Sequence, residues 1–401
     1  MTQKSPLSLF SVRRVLLPLL IGIGVAVFLI GKDFSKPVIT SVENGKGDYY
    51  WLDTNHNGAK EIEELYPADA THKGCVRVER QQDILSNVVN NWSWGATLCL
   101  IAAMFFAMMR DFMYMYRIRL LSDKKISWYH SFQVIMLWEF GSAVTPSVVG
   151  GSALAFFIVS MEGIGVGRST AIVMITALLD ELFYIVIAPL AILLVGAKIA
   201  FIKDFDFFFL GHQFGMVTIF FIGYGFMCLL TIIILFAIFI YPQAFKGFLF
   251  SLSRSKTFSK WGTKLQKVGN DIVVSSQEFK GKSFWFWAKA YLCTVFSWTS
   301  RFAVVNFILL AFMPVSDHIL VYARQLVMWI ILCISPTPGS SGIAEFSFPI
   351  FFREFMPLGL SSTIAVIWRL YTYYPYLLLG FIVLPLWSKR VFKKHGLKDK
   401  N

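Results

Sequence analysis

The chain has 401 residues, 56% of them hydrophobic and only 15% charged, with a formal net charge of +13. A soluble domain of this length carries more charge and interleaves it with its apolar residues; here the apolar residues come in long blocks and the mean hydropathy is +0.61. The basic excess lies in short stretches between the blocks and not in a separate basic domain with stacking aromatics, which argues against a nucleic-acid partner.

The first block follows Arg13 and Arg14 and runs to Ile30. It reads as an uncleaved N-terminal span over residues 1–31, because Gly31-Lys32-Asp33-Phe34 is a poor cleavage site. Residues 32–91 are polar with an acidic excess and form an insertion expected outside the cell. Within it, Asp53, Asn55, Asn57, Gly58 and Glu64 fit the calcium-loop pattern D-x-[DN]-x-[DN]-G-x5-E, with Gly58 at the sharp turn and Glu64 as bidentate ligand. Lys60 stands where that loop usually has a hydrophobic residue, so a polar turn followed by a short acidic helix fits the same residues. Both readings stand, and Ca2+ is the one cofactor the sequence raises.

Further blocks at Trp92–Met109, Ala171–Val195, Met216–Tyr241, Phe284–Met313 and Ser361–Trp387 approach or exceed the roughly 20 residues that cross a bilayer. Trp and Tyr gather near their ends, as at membrane interfaces. Lysine and arginine set orientation. Arg13 and Arg14, then Arg110, Arg117, Arg119, Lys124 and Lys125, then the stretch from Lys246 to Lys282, then Lys389, Arg390, Lys393 and Lys394 all belong in the cytoplasm. Both termini are therefore expected inside a bacterial cytoplasmic (inner) membrane, with residues 391–401 a basic tail.

Under that orientation Ile126–Arg168 starts and ends inside, and Val315–Gly359 starts and ends outside. Each holds two helical runs around a breaker cluster: Thr145-Pro146-Ser147-Val148-Val149-Gly150-Gly151, and Ser335-Pro336-Thr337-Pro338-Gly339-Ser340-Ser341-Gly342. Each reads as a re-entrant helical hairpin or a pair of short spans. Span, broken hairpin and span recur over residues 92–196 and 284–388, entering from opposite faces. The expected fold is an all-α polytopic membrane protein, about six full spans plus two Pro/Gly-broken hairpins in an inverted-topology repeat.

Ionisable residues inside membrane segments are expensive and mark functional candidates. They are Glu139, Asp180, Glu181, Arg301, Arg324, Glu345 and Arg369. Asp180, Arg301 and Arg369 fall near mid-span, where snorkelling is difficult. Arg369 is expected to stand bare there, as a planar fork for phosphate. Glu345 and Arg324 join the candidate substrate-binding set, with Pro146, Gly150, Gly151, Pro338, Gly339 and Gly342 at the two breaks. Glu139 and Arg324 lie in hairpin arms and could sit near a surface, and Glu181 is read as a structural pairing. Carboxylates of this set could receive a cationic headgroup or a proton. The cysteines and histidines show no disulfide framework and no metal-ligand spacing.

At these motifs the sequence resembles the lysylphosphatidylglycerol synthase/flippase membrane region, the UPF0104 or flippase-like family. Thr145-Pro146-Ser147-x-x-Gly150-Gly151, with Gly163-Ile164 and the span holding Asp180, is similar to its first motif. Pro336-Thr337-Pro338-Gly339-x-x-Gly342-x-x-Glu345, with Arg369, is similar to its second. The resemblance runs from about Trp92 to Arg390. Ser152, Ser340 and Ala344 depart from the usual pattern and leave the headgroup open. The resemblance implies movement of an anionic phospholipid or lipid-linked substrate between leaflets. It implies no synthase or other enzyme activity, because the soluble domain of the bifunctional members is not matched. A small-solute or ion carrier and, behind it, a lipid-modifying membrane enzyme are the competing readings. Self-association is left open.

Overall fold

The computed structural model describes residues 20, 23–25, 27–31, 34, 37–55, 60–69, 71–145, 147–202, 206–209, 212–254, 262–333, 335 and 337–394. Most of the N-terminal apolar run, and Asn57, Gly58, Pro146 and Pro336 among the motif residues, lie outside them.

The insertion is a small antiparallel sheet, which the sequence reading did not anticipate. Its strands are β1 (Val38–Ser41), β2 (Tyr49–Trp51), β3 (Leu65–Pro67) and β4 (Val76–Glu79), in spatial order β1-β4-β2-β3. The expected acidic helix is a single 3-10 turn, Ile62–Glu64. Strands of three or four residues bury too little to stand alone. The sheet leads instead into helix α1 (Gln81–Asn90), whose Ile84, Leu85 and Val88 pack against a core that includes Met356 and Leu360.

Among the described residues, five helices are long and apolar enough to cross a membrane: Trp94–Leu121, Val166–Val195, Met216–Ile240, Phe284–Phe312 and Ser361–Lys393. We call the first two α2 and α5. The run from Met216 comprises α6 (Met216–Leu235) and a π-helical turn, Phe236–Ile240, before Pro242. Phe284–Phe312 is α9. The last run divides into α12 (Ser361–Thr372) and α13 (Tyr374–Lys394). Pro375 has no N–H for the carbonyl one turn back, so the helix closes at Tyr373 and restarts. Arg369 therefore sits one turn from a break and not in an unbroken mid-span.

Between α2 and α5, helices α3 (Trp128–Val144) and α4 (Ser147–Met161) meet at Thr145, which is extended (φ −104°, ψ 141°). A residue before proline is driven to that region. Between α9 and α12, helices α10 (His318–Cys333) and α11 (Ile343–Phe352) are joined by a non-helical link with left-handed backbone at Gly339, Ser340 and Gly342. Both helix–break–helix units read from the sequence are present.

Two expectations are corrected. The span beginning at Trp92 does not stop at Met109; α2 continues to Leu121, and Arg110 and Arg117, read as cytoplasmic markers, are each only 3% exposed. They stay inside because carboxylates and tyrosines of the bundle meet them. The stretch from Tyr241 to Phe284 is not a plain loop either. It holds α7 (Pro242–Arg254) and α8 (Gly262–Lys280), packed on each other, with α8 also on α5. Their periodicity buries Leu249, Ile272, Val273 and Phe279 while leaving lysines outward.

Two apolar cores result. One gathers α3, α4, the first half of α5 and α13; the other gathers α10, α11, α12 and the second half of α5. On α2 the boundary falls between Ala107 and Tyr114, at Arg110. On α5 it falls between Leu179 and Phe183, at Asp180 and Glu181. Between α12 and α13 it falls between Trp368 and Tyr373, at Arg369 and Thr372. A layer of charged and polar side chains thus separates two apolar cores.

Candidate functional site

A cavity of about 290 Å3 opens in this layer. Both helix–break–helix units contribute to its wall: Ser142, Ala143 and Ser152 from the helices of the first, Ser335, Thr337, Gly339 and Ser340 from the break of the second. The second break touches the end of α3. A Cβ on Gly339, whose φ is +55°, would lie 3.1 Å from the Ala143 carbonyl oxygen and 2.6 Å from the Tyr373 ring. Only glycine permits both that backbone and that approach. Tyr373 Oη also donates to the Ala143 carbonyl, at 3.3 Å.

Three arginines of the layer are matched by carboxylates. Arg110 pairs with Glu139 at 2.6 Å and Asp111 at 2.8 Å, and donates to Tyr376 Oη at 2.7 Å. Arg117 grips Asp180 with two nitrogens, at 2.6 and 3.1 Å, and donates to Thr294. Trp298 Nε1 donates to the same carboxylate at 2.9 Å. Arg369 Nε donates to Glu345 Oε1 at 2.8 Å, and its Nη2 to the Gly339 carbonyl at 3.3 Å. Glu345 then accepts from the Gly342 N–H at 2.7 Å, capping α11. Such charge-assisted bonds are what make buried ions tolerable.

Arg301 differs. It has no ion pair among the described residues, and its buried Nε has no hydrogen-bond partner. Its guanidinium lies over the Trp329 ring, 4.3 Å from the centroid, and 5.4 Å from that of Trp298. It also lines the cavity. Aromatic faces attract a cation but fill none of its N–H directions.

The residues singled out from the sequence divide accordingly. Asp180, Arg301, Arg369 and Gly339 line the cavity. Glu345 stands behind Arg369, so Arg369 is not bare. Pro338 and Gly342 belong to the second link; Gly150 and Gly151 lie in α4, on the first unit. Arg324 lies elsewhere. It pairs with Glu354 at 2.5 Å and donates to the carbonyls of Phe351 and Ile199, tying α10 to the outer end of α11.

In the insertion, Glu64 is 3% exposed. Its Oε1 accepts from Thr54 N, Thr54 Oγ1 and Asn55 N, and its Oε2 from Trp51 Nε1. Burial pushes the carboxyl up, but these bonds hold it below the usual carboxylate range. Glu64 is thus committed to organising the Asp53–Asn55 turn, and no group of three or more His, Cys, Asp or Glu is arranged for a metal among the described residues.

Sequence reasoning passed over Arg110, Asp111, Tyr114, Arg117, Trp298, Trp329 and Tyr376, and set Glu139 and Glu181 aside. One signal was available. Ala103, Ala107, Arg110, Tyr114, Arg117 and Leu121 recur every three or four residues, and they are the buried stripe of α2.

The family described as the lysylphosphatidylglycerol synthase transmembrane region matches residues 81–380. A UPF0104 membrane protein of Archaeoglobus fulgidus is 26% identical over 313 residues, 75% of this chain and 89% of the relative. No solved structure matches. The matched stretch runs from α1 through both breaks to Gly380 and so contains the whole polar layer, and on that extent this multi-pass membrane chain belongs to the lysylphosphatidylglycerol synthase transmembrane-region family.

Proposed function

We propose that the chain is a lipid flippase of the cytoplasmic membrane, not an enzyme, and that it passes a phosphate-bearing headgroup between leaflets through the central cavity. The carrying observation is Arg301, a half-buried cation that lines the cavity, forms no ion pair among the described residues and leaves its Nε without a hydrogen-bond partner. Guanidinium stays charged at any accessible pH, so this group calls for an anion. A cavity of about 290 Å3 suits a headgroup, with acyl chains left in the bilayer. Desolvating a phosphate without such a partner would be prohibitive.

The two helix–break–helix units support an inverted repeat with hairpins entering from opposite faces, which is the architecture of alternating access around a fixed site. Broken backbone at membrane depth persists when it lines a cavity, and the second break lines this one, facing the helices that flank the first. The basic clusters support cytoplasmic termini.

The test is reconstitution of the full chain in vesicles carrying a fluorescent phosphatidylglycerol, with impermeant quencher reporting leaflet exchange. Exchange should exceed that of empty vesicles and fall to their level in Arg301→Ala, with Arg301→Lys recovering little because a point charge does not replace the fork. Wild-type vesicles no faster than empty ones, or undiminished exchange by Arg301→Ala, would overturn the reading.

A further inference from the structure

Glu181 is the counterpart of Arg301. It lines the same cavity, is 9% exposed, and has no cation within ion-pair distance among the described residues. Its one hydrogen bond is from Thr231 Oγ1 on α6, at 2.8 Å. We propose that Glu181 is a proton-binding site that couples lipid movement to a proton gradient, an inference that rests on the lipid-transport reading above.

The argument is one of matching charges. Glu139 and Asp180 of the cavity wall each have an arginine, and Glu345 holds Arg369. The surroundings of Glu181 offer no such neutralisation. On its own helix stands Asp180, already taken by Arg117. Tyr184 also stands on that helix; from α6 come Thr231 and Cys228, from α10 Cys333, from α2 Arg110 and Tyr114, from α3 Glu139, from α9 Arg301, from α12 Arg369, with Tyr373 after it, and from α13 Tyr376. Neither α8 nor α11 adds a residue to the lining. Arg110 and Arg369 are committed to other carboxylates, and Arg301 forms no ion pair with Glu181.

An unmatched arginine and an unmatched carboxylate have different remedies. The arginine cannot shed its charge and must wait for an anion. The carboxylate can bind a proton, and a buried carboxyl lacking a cation does so, since the charged form is costly out of water. When the cavity opens to water, the acid dissociates to carboxylate and proton, and no other bond is made or broken. A group ionised when open and neutral when closed gains its proton on one side and can lose it on the other.

Two measurements on the full-length protein test this. In vesicles with an imposed pH gradient, the ratio of fluorescent phosphatidylglycerol exchange with and without the gradient should exceed unity in wild type and in Glu181→Asp, and fall to unity in Glu181→Gln. In infrared difference spectra between acid and alkaline detergent solution, a protonated-carboxyl band should titrate in wild type and be missing in Glu181→Gln, whether or not any lipid is present. A wild-type ratio of unity, a Glu181→Gln ratio like wild type, or identical titrating bands in both proteins would overturn the proposal. Absence of lipid exchange in wild type would sink the transport reading alone, and the infrared comparison would still decide the proton site.

Discussion

The two breaks occupy matching places in the chain and are built by different means. The first holds the extended residue Thr145, the one described residue between helices that lie against each other. There Gly151 brings α4 so near that an added Cβ would stand 2.3 Å from Ser142 Oγ and 3.1 Å from Ser142 Cα. The second spans Ser335–Gly342, and an ion pair holds it: Arg369 reaches the Gly339 carbonyl with one nitrogen and Glu345 with another, and Glu345 caps Gly342. Shape fixes one break and charge the other. Left-handed backbone leaves N–H and C=O groups without helical partners, so the longer link requires side chains to supply them.

The largest effect should come from dividing the ion pair. Both side chains are almost fully buried, at 3% and 1% exposed. Glu345→Ala leaves Arg369 charged with no counterion and should cost about 3–5 kcal/mol, read as a fall in thermal unfolding temperature in detergent. Glu345→Gln should cost less, because its amide oxygen still accepts from Arg369. If Glu345→Ala unfolds like wild type, charge does not hold the second break.

At the first break the expected cost is smaller. Gly151→Ala overpacks the α3–α4 contact, and such insertions cost about 1–3 kcal/mol. Ser142→Gly removes the nearest atoms, so the double variant should recover part of the loss. Simple additivity of the two variants would show that the contact is not the cause. Arginine or glutamate substitutions near Thr145 have no counterpart effect to copy, because no ion pair closes that break among the described residues.

The same contrast explains what could be read from the sequence. Proline and glycine density marked both breaks, since these residues act on the backbone within a few positions. Hydropathy marked the long helices for a similar reason. The polar layer was less legible, because counting charges cannot say which carboxylate meets which arginine. Arg110 looked like the end of a span when read by hydropathy, although Glu139 and Tyr376, distant in sequence, join the adjacent Asp111 to neutralise and bind it in space. Arg369 looked bare for the converse reason, since Glu345 lies 24 positions away. The small sheet of the insertion escaped because its strands are too short to show a period of two.

The smallest effect is expected where a surface group ties elements together. Asp123 follows α2 with a left-handed φ of +50° and receives Arg168 at 2.6 Å and Lys282 at 2.8 Å, from the starts of α5 and α9. Its partial burial pushes the carboxyl up, but the bonds and charges of Lys282 and Arg168 outweigh this and hold it below the usual carboxylate range. A carboxylate depressed on folding adds stability that is complete above its unfolded value, near 3.9, and is lost as pH falls through the lower folded value. With its side chain 36% exposed, solvent screening keeps the contribution small. Asp123→Asn should therefore unfold slightly earlier than wild type at neutral pH, and the gap should close on acidification below about 4. Added salt should narrow the gap at neutral pH as well. The measurement is thermal unfolding in detergent across that pH range, with Glu345→Ala beside it. A gap for Asp123→Asn that persists into acid would mean the aspartate acts through its backbone turn and not through its charge.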